Sequence, residues 1–125
     1  MTQDPRQFLN EYYQVFGSLE LSRIQSYFHT PGLVIGPAGP FPLDAGGLTA
    51  MLTRIIEDLR SKGYGRSEFV LQDEKALGSA SAFISGIAVR FKTDGHELER
   101  VPLSYVLHKV DSGWKIAVMV VQVTK

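Results

Sequence analysis

Apolar side chains in the first half of the chain recur at intervals of three and four residues, the period of a helix with one buried face. The spacing predicts a helix over residues 4–17, with Asp4 as its cap, Pro5 at the first helical position and Gln7 as the capping-box partner. Four side chains share the apolar face of this helix: Phe8, Tyr12, Phe16 and Leu19.

The same spacing indicates a second, shorter helix, which Pro31 and Gly32 end. The apolar run at 33–35 favours a short strand. The stretch GPAGPFPLDAGG (residues 36–47) has no periodic pattern and indicates a loop. The apolar face of the second helix carries Leu21, Ile24 and Phe28. A third helix is predicted to begin at Asp44 and to end at Gly63. Its broad apolar stripe consists of Leu48, Met51, Leu52, Ile55, Ile56 and Leu59.

The second half of the chain is rich in Val, Ile, Phe, Tyr and Ala, and turn sequences interrupt it at intervals. Asp94-Gly95 suits a tight hairpin. Helices followed by strands predict an α+β fold with helices packed on one face of an antiparallel meander. The four predicted strands cover residues 66–77, 80–92, 97–110 and 114–124.

The last predicted strand, WKIAVMVVQV, is apolar on both of its faces. A strand with one solvated face alternates between apolar and polar residues. Since an exposed apolar patch commonly marks an interface, this strand predicts a homodimer packed sheet to sheet.

Three stretches carry a resemblance: YYQVFGSLELSRIQSYF, GLTAMLTRIIEDL and SYVLHKVDSGWKIAVMVV. In this order they resemble the SnoaL-like proteins of the nuclear transport factor two-like superfamily. The resemblance implies a single SnoaL-like domain over residues 1–125, in which a curved sheet wraps the long helix and leaves a cone-shaped cavity. It also implies dimerisation through the convex face of the sheet.

Ketosteroid isomerase, a member of that superfamily, relies on a tyrosine and two aspartic acids. The resemblance sets Tyr12 at the tyrosine position, but Gly36 and Ser104 stand where the aspartic acids would be. Glycine cannot accept a proton, so this isomerase chemistry is expected to be absent. The family is functionally diverse, and its fold does not settle the activity.

The resemblance further implies which side chains line the cone, and most of them are apolar, as in pockets for small molecules. In this register Phe91, Pro102, His108, Ile116 and Val118 face the concave side of the sheet, together with the ligand-binding candidates on the strands. The ligand-binding candidates are Phe16, Ile35, Met51, Ile55, Phe83, Ser85, Ile87, Val89, Ser104, Val106, Val120 and Gln122.

Two residues are candidates for acid–base catalysis. His29 can act as a base at the cavity mouth, or it can cap the carbonyl groups that end the second helix. Tyr12 lies on the apolar stripe, so its ring belongs to the core or its hydroxyl points into the pocket. On the strands, Arg100 is placed on the concave face and Arg90 on the convex face; pairing with Glu97 or Glu99 and anion binding by Arg100 are the two readings.

Three function hypotheses follow: a binding protein for a small, mainly apolar molecule; a cofactor-free isomerase, cyclase or dehydratase using Tyr12 and His29; and a dimerisation module without ligand.

The composition of the chain argues against several classes of binding partner. Thirteen basic and thirteen acidic residues cancel, which argues against nucleic acid and anionic membrane surfaces. Cysteine is absent, and no spacing suggests a metal site or a cofactor. We expect a cytoplasmic protein without a membrane span.

Overall fold

The computed structural model describes residues 4–111 and 113–122. Three helices from the first half of the chain pack on one face of a curved six-stranded sheet. This confirms the α+β class. The helices are α1 (Pro5–Phe16), α2 (Leu21–Gln25) and α3 (Ala45–Ser61). The strands are β1 (Phe28–Gly36), β2 (Gly39–Leu43), β3 (Tyr64–Ala76), β4 (Ser81–Lys92), β5 (Glu97–Val110) and β6 (Gly113–Val121).

The predicted helix caps are present. Asp4 accepts a hydrogen bond from the backbone N–H of Arg6 at 2.8 Å, and Gln7 completes the capping box. Asp44 accepts from the backbone N–H of Gly47 at 2.7 Å and starts α3. At the other end of α3, Gly63 adopts φ 79°, the left-handed conformation that glycine tolerates best. The ends of both long helices are therefore determined by interactions within a few residues of the chain.

Two segments differ from the sequence prediction. The second helix ends at Gln25, and Phe28 opens β1 instead of closing that helix. Residues 39–43, predicted as loop, form β2, which pairs antiparallel with β1. Pro40 and Pro42 suit this strand because it lies at the edge of the sheet, where a missing N–H breaks no ladder.

The four strands predicted in the second half form the expected meander, in the order β6-β5-β4-β3 within the sheet. Strand β1 adds to it by pairing in parallel with β6. The full order is β2-β1-β6-β5-β4-β3. The predicted last strand extended to residue 124; residues 123 and 124 lie outside the described part of the chain.

The helices cover one face of the sheet, which we call the inner face; the opposite, convex face is the outer face. The predicted register of β4 and β5 was one residue off. Ala82, Ile84 and Ala88 of β4 are buried on the inner face, opposite Leu107, Tyr105 and Val101 of β5. The small residues Ala82, Gly86 and Ala88 leave room for aromatic rings from α1, β3 and β5. A one-residue shift of register moves every side chain to the other face.

The C-terminal half of β6 was also assigned to the wrong face of the sheet. The pairing of β5 with β6 shifts by one residue at Ala117, so Ile116 is buried inside while Val118 and Val120 turn outward. A bulge of this kind reverses the alternation of a strand beyond it. Met119 and Val121 take the inner positions instead.

Candidate ligand-binding cavity

An open cavity of about 320 Å³ lies between α1, α3 and the inner face of the sheet. This volume is at the lower end of the range typical of small-molecule sites. Most of the lining is apolar or aromatic. The lining residues are Tyr12, Tyr13, Phe16, Phe28, Leu52, Arg54, Ile55, Asp58, Leu59, Arg90, Val101, Leu103, Tyr105, Met119 and Val121.

Helix α1 contributes aromatic rings to the cavity because four of its five buried residues are aromatic, and three of them, Tyr12, Tyr13 and Phe16, line the cavity. The ring of Tyr12 packs at 5.9 Å from Phe16 and 5.8 Å from Phe28, measured between ring centroids. Tyr13 stacks on Phe69 of β3 at 5.2 Å. The cavity wall on this side is thus a packed aromatic cluster.

Two of the buried phenols hydrogen-bond to each other. The hydroxyl oxygens of Tyr13 and Tyr105 lie 2.5 Å apart. Burial raises the pKa of both phenols, so both stay neutral well above physiological pH. This pair therefore satisfies itself and is not available to a ligand without breaking that bond.

The hydroxyl of Tyr12 has no hydrogen-bond partner among the residues that the structure describes. Burial is the main reason that the pKa of Tyr12 is raised well above its ordinary value, and the nearby Arg90 charge opposes this rise. Tyr12 is therefore a protonated hydrogen-bond donor facing the cavity, and it cannot serve as a base near neutral pH.

Arg90 is the charged group inside the cavity. Its Nη1 donates to Oε2 of Glu99 at 2.5 Å, and its guanidinium carbon lies 5.6 Å from the ring centroid of Phe16. Only 17% of its side chain is exposed. Its Nε is buried without a hydrogen-bond partner in the described part of the chain. A buried, unpaired donor of this kind needs an explanation.

Two further charged residues, Arg54 and Asp58, lie on the exposed surface of α3 at the cavity mouth. Asp58 pairs with Lys62 one turn later, with Oδ2 and Nζ 3.0 Å apart. Arg54 forms no ion pair within residues 4–111 and 113–122. The mouth therefore presents an uncompensated cation next to an engaged carboxylate.

The sequence-predicted site residues are divided among three places. Tyr12, Phe16 and Ile55 line the cavity. Met51 is buried in the core but is not among the lining residues. The other predicted ligand-binding residues lie on the outer face: Ile35, Phe83, Ser85, Ile87, Val89, Ser104, Val106, Val120 and Gln122. The one-residue register shift accounts for the residues on β4 and β5, and the β6 bulge accounts for Val120. Ile35 lies on β1 beside Val120 and shares its face.

His29 does not reach the cavity. It lies on β1, where its Nδ1 is 2.8 Å from the carbonyl oxygen of Pro31, and its ring packs 6.4 Å from that of His108, centroid to centroid. Neither histidine is part of the cavity lining. The structure therefore does not bring His29 and Tyr12 together. Because Phe28 starts a strand, the alternative role of His29 as a cap at the end of the second helix is wrong.

The assignment of the two arginines is reversed. Arg100 lies on the outer face and forms a two-point ion pair with Glu97, with contacts of 2.9 and 3.0 Å. Arg90, predicted on the convex face, enters the cavity. One sequence signal pointed that way: Val101, Leu103, Tyr105 and Leu107 form an unbroken apolar alternation on β5, whereas Pro102, Ser104, Val106 and His108 do not.

The described residues contain no group of three or more His, Asp or Glu side chains placed to hold a metal ion. None of the described helices is both long and apolar enough to span a membrane.

Comparison with known proteins agrees with this architecture. Residues 3–124 match the family described as NTF2-like protein (DUF6841), and the chain belongs to that family. The superfamily resemblance seen in the sequence is thereby confirmed. A comparison with curated proteins gave no match.

Solved structures share the fold at low sequence identity. A domain of unknown function with a cystatin-like fold from Nostoc punctiforme has a TM-score of 0.72 at 18% identity, covering 95% of this chain and 75% of that one. A putative calcium/calmodulin-dependent protein kinase type II association domain from Thiobacillus denitrificans reaches 0.78 at 11% identity, with 100% and 98% coverage. A ketosteroid isomerase-like protein from Erwinia carotovora atroseptica gives 0.67 at 12%, with 93% and 90%.

Proposed function

We propose that this NTF2-like protein binds a small, mainly apolar molecule in the cavity between α1, α3 and the sheet. The observation that carries the proposal is the cavity itself: about 320 Å³ of open space lined by aromatic and aliphatic side chains, with a polar end. A core built only for stability is close-packed and leaves few voids larger than a water molecule. The third hypothesis, a dimerisation module without ligand, leaves this space without a purpose.

The second hypothesis, acid–base catalysis by Tyr12 and His29, stays a prediction with less support. Tyr12 is neutral and faces the cavity, while His29 lies on β1 outside it. A general base must come within hydrogen-bonding reach of its substrate, directly or through one water. The geometry therefore favours binding over this particular chemistry.

Filling the cavity from its mouth tests the proposal. Ile55 is half-buried on α3, so Ile55→Trp can place its ring in the cavity without opening the core. We expect the wild-type protein to bind the neutral compound 2-(1-naphthyl)ethanol, and Ile55→Trp to weaken that binding at least tenfold, as measured by isothermal titration calorimetry.

Leu77→Trp is the matched control, because Leu77 is 45% exposed and lies outside the cavity lining. This variant should bind as the wild type does. Saturation-transfer NMR detects binding too weak for calorimetry. Equal binding by Ile55→Trp and wild type would show that the compound binds elsewhere and would contradict the proposal.

We also propose that the protein is a homodimer through the outer face of the sheet. Four neighbouring strands present half-buried apolar residues there, and such a contiguous patch commonly marks an interface. The register aligns them in rows: Leu33, Val118, Val106 and Phe83 in one, and Ile35 and Val120 beside it.

A charge in the middle of this patch tests the dimer. Val118→Glu places a carboxylate where a second sheet would bury it, and burying an unpaired charge is strongly unfavourable. We expect sedimentation velocity to give a dimer for the wild type and a monomer for Val118→Glu. Gln14→Glu, which adds the same charge on the exposed side of α1, should remain a dimer. A monomeric wild type would rule this interface out.

A further inference from the structure

The described residues satisfy only part of the hydrogen-bonding capacity of the Arg90 guanidinium. Its Nη1 donates to Glu99, but its Nε is buried and finds no acceptor among the described residues. An N–H removed from water without a partner is unfavourable, and native structures rarely leave one so. Arg90 therefore carries a donor that no described residue satisfies.

A second donor lacks a partner in the same cavity. The Tyr12 hydroxyl makes no hydrogen bond to a described residue, and the charge of Arg90 acts on this phenol. Both groups donate, whereas the carboxylate of Glu99 is already engaged. Arg90 and Tyr12 line one cavity, and each has a donor without a partner among the described residues, which favours a ligand with an acceptor group of its own.

The charges around the cavity favour an anionic acceptor over a neutral one. Glu99 forms an ion pair with Arg90, and its Oε1 lies 3.5 Å from Nζ of Lys62. Lys62 also forms an ion pair with Asp58. Both carboxylates thus have cationic partners. Arg54 at the mouth forms no ion pair with the described residues. The lining, with two arginines and one aspartate, carries an excess of positive charge.

The other residues that line the cavity indicate the size and polarity of the rest of the ligand. The rings of Phe16 and Phe28 and the side chains of Ile55, Leu103 and Met119 offer no strong hydrogen-bonding group. A volume of about 320 Å³ holds roughly 10 to 15 non-hydrogen atoms at the packing density of protein interiors. A compact ring system with a short acidic arm has this size and this polarity.

We propose that the ligand is a small aromatic or alicyclic carboxylic acid, whose carboxylate accepts hydrogen bonds from the guanidinium of Arg90 and from the Tyr12 hydroxyl. A guanidinium matches a carboxylate in shape as well as in charge. The inference rests on the proposed function and narrows it to one ligand chemistry.

The experiment compares two probes of nearly equal shape, 1-naphthylacetate and 1-naphthylacetamide, at pH 7 by isothermal titration calorimetry. Wild-type protein should bind the acid about 10- to 100-fold more tightly than the amide, the range expected for a hydrogen-bonded charge pair away from water. Ile55→Trp should weaken both compounds, because both need the cavity.

Two variants change the preference in opposite directions. Arg90→Gln should lower the affinity for the acid to about that of the amide. Glu99→Gln, which removes the carboxylate competing for Arg90, should tighten acid binding several-fold. Arg100→Gln is the matched control on the outer face and should leave the acid-to-amide ratio unchanged. Thermal unfolding of each variant verifies that it is folded under the assay conditions.

The outcomes separate the two proposals. If acid and amide bind equally well and Ile55→Trp abolishes both, the cavity binds ligands but the carboxylate inference is wrong. If Arg90→Gln is unfolded, an unchanged acid affinity in Glu99→Gln overturns the role of Arg90. Binding of neither compound to the wild type would overturn both proposals.

Discussion

Replacing Gly86 by alanine should destabilise the protein by about 3 kcal/mol, the upper part of the range for overpacking a dense interior. A Cβ at this position would lie 2.2 Å from the carbonyl oxygen of Val70 and 2.7 Å from the ring of Phe69. The backbone oxygen cannot move without displacing β3, and the ring is stacked on Tyr13. Urea unfolding followed by circular dichroism measures the loss.

Gly36→Ala is the matched control for this substitution. A Cβ there meets no atom within 4 Å, and the residue is not in the left-handed region. Its stability should change by less than about 1 kcal/mol, in either direction. If Gly86→Ala were as stable as Gly36→Ala, β3 and β4 would not approach each other as closely as described.

Raising the pH above 10 should remove about 4 kcal/mol of stability by pH 11 through three cavity tyrosines. Burial raises the pKa values of Tyr12, Tyr13 and Tyr105 in the folded state. Each neutral phenol contributes stability that is complete below the unfolded pKa of about 10 and is lost as the pH rises toward the folded pKa, at about 1.4 kcal/mol per pH unit. Urea unfolding at pH 8, 10 and 11 measures the loss.

Other groups also titrate above pH 10, so a double variant isolates the tyrosines. Tyr13→Phe combined with Tyr105→Phe removes both partners of one hydrogen bond and leaves neither hydroxyl orphaned. This variant should lose about 3 kcal/mol less than the wild type between pH 8 and 11, because two of the three phenols are gone. Phenolate absorbance at 295 nm that titrates fully near pH 10 in the folded protein would show that the hydroxyls reach water.

The two long helices, α1 and α3, were predictable from the sequence because their determinants are local. The capping box that joins Asp4 to Gln7 sets the start of α1, and Asp44 sets that of α3. Their apolar stripes are several turns long, so the period is unambiguous. The four strands of the meander were predictable for a similar reason, since turn residues separate them. The superfamily followed from the order of these elements.

The face of each long strand was not predictable in the same way. On β4, one parity holds Phe83, Ile87 and Val89 and the other Ala82, Ile84 and Ala88, so both are apolar and alternation does not choose between them. The larger side chains, Phe83, Ile87 and Val89, were therefore assigned to the inner face. In the structure they lie outside, because rings from other elements already fill the inner side.

Strand β2 and the parallel pairing of β1 with β6 depend on contacts between distant parts of the chain. The proline-rich stretch around Pro40 and Pro42 has no strand pattern of its own, and it pairs only because β1 lies beside it. The shift at Ala117 likewise follows from how β6 fits between β5 and β1. Pairing partners of this kind are absent from any local window of sequence.

By itself, the sequence determined the two long helices, the meander and the superfamily, since capping, periodicity and turn chemistry act over a few residues. Only the tertiary structure decided the cavity and its polar end. Arg90 looked like a surface charge next to Glu99, and His29 looked like the nearest base to Tyr12. Folding placed Arg90 in the cavity and His29 outside it, because one residue of register decides which face of a sheet a side chain occupies.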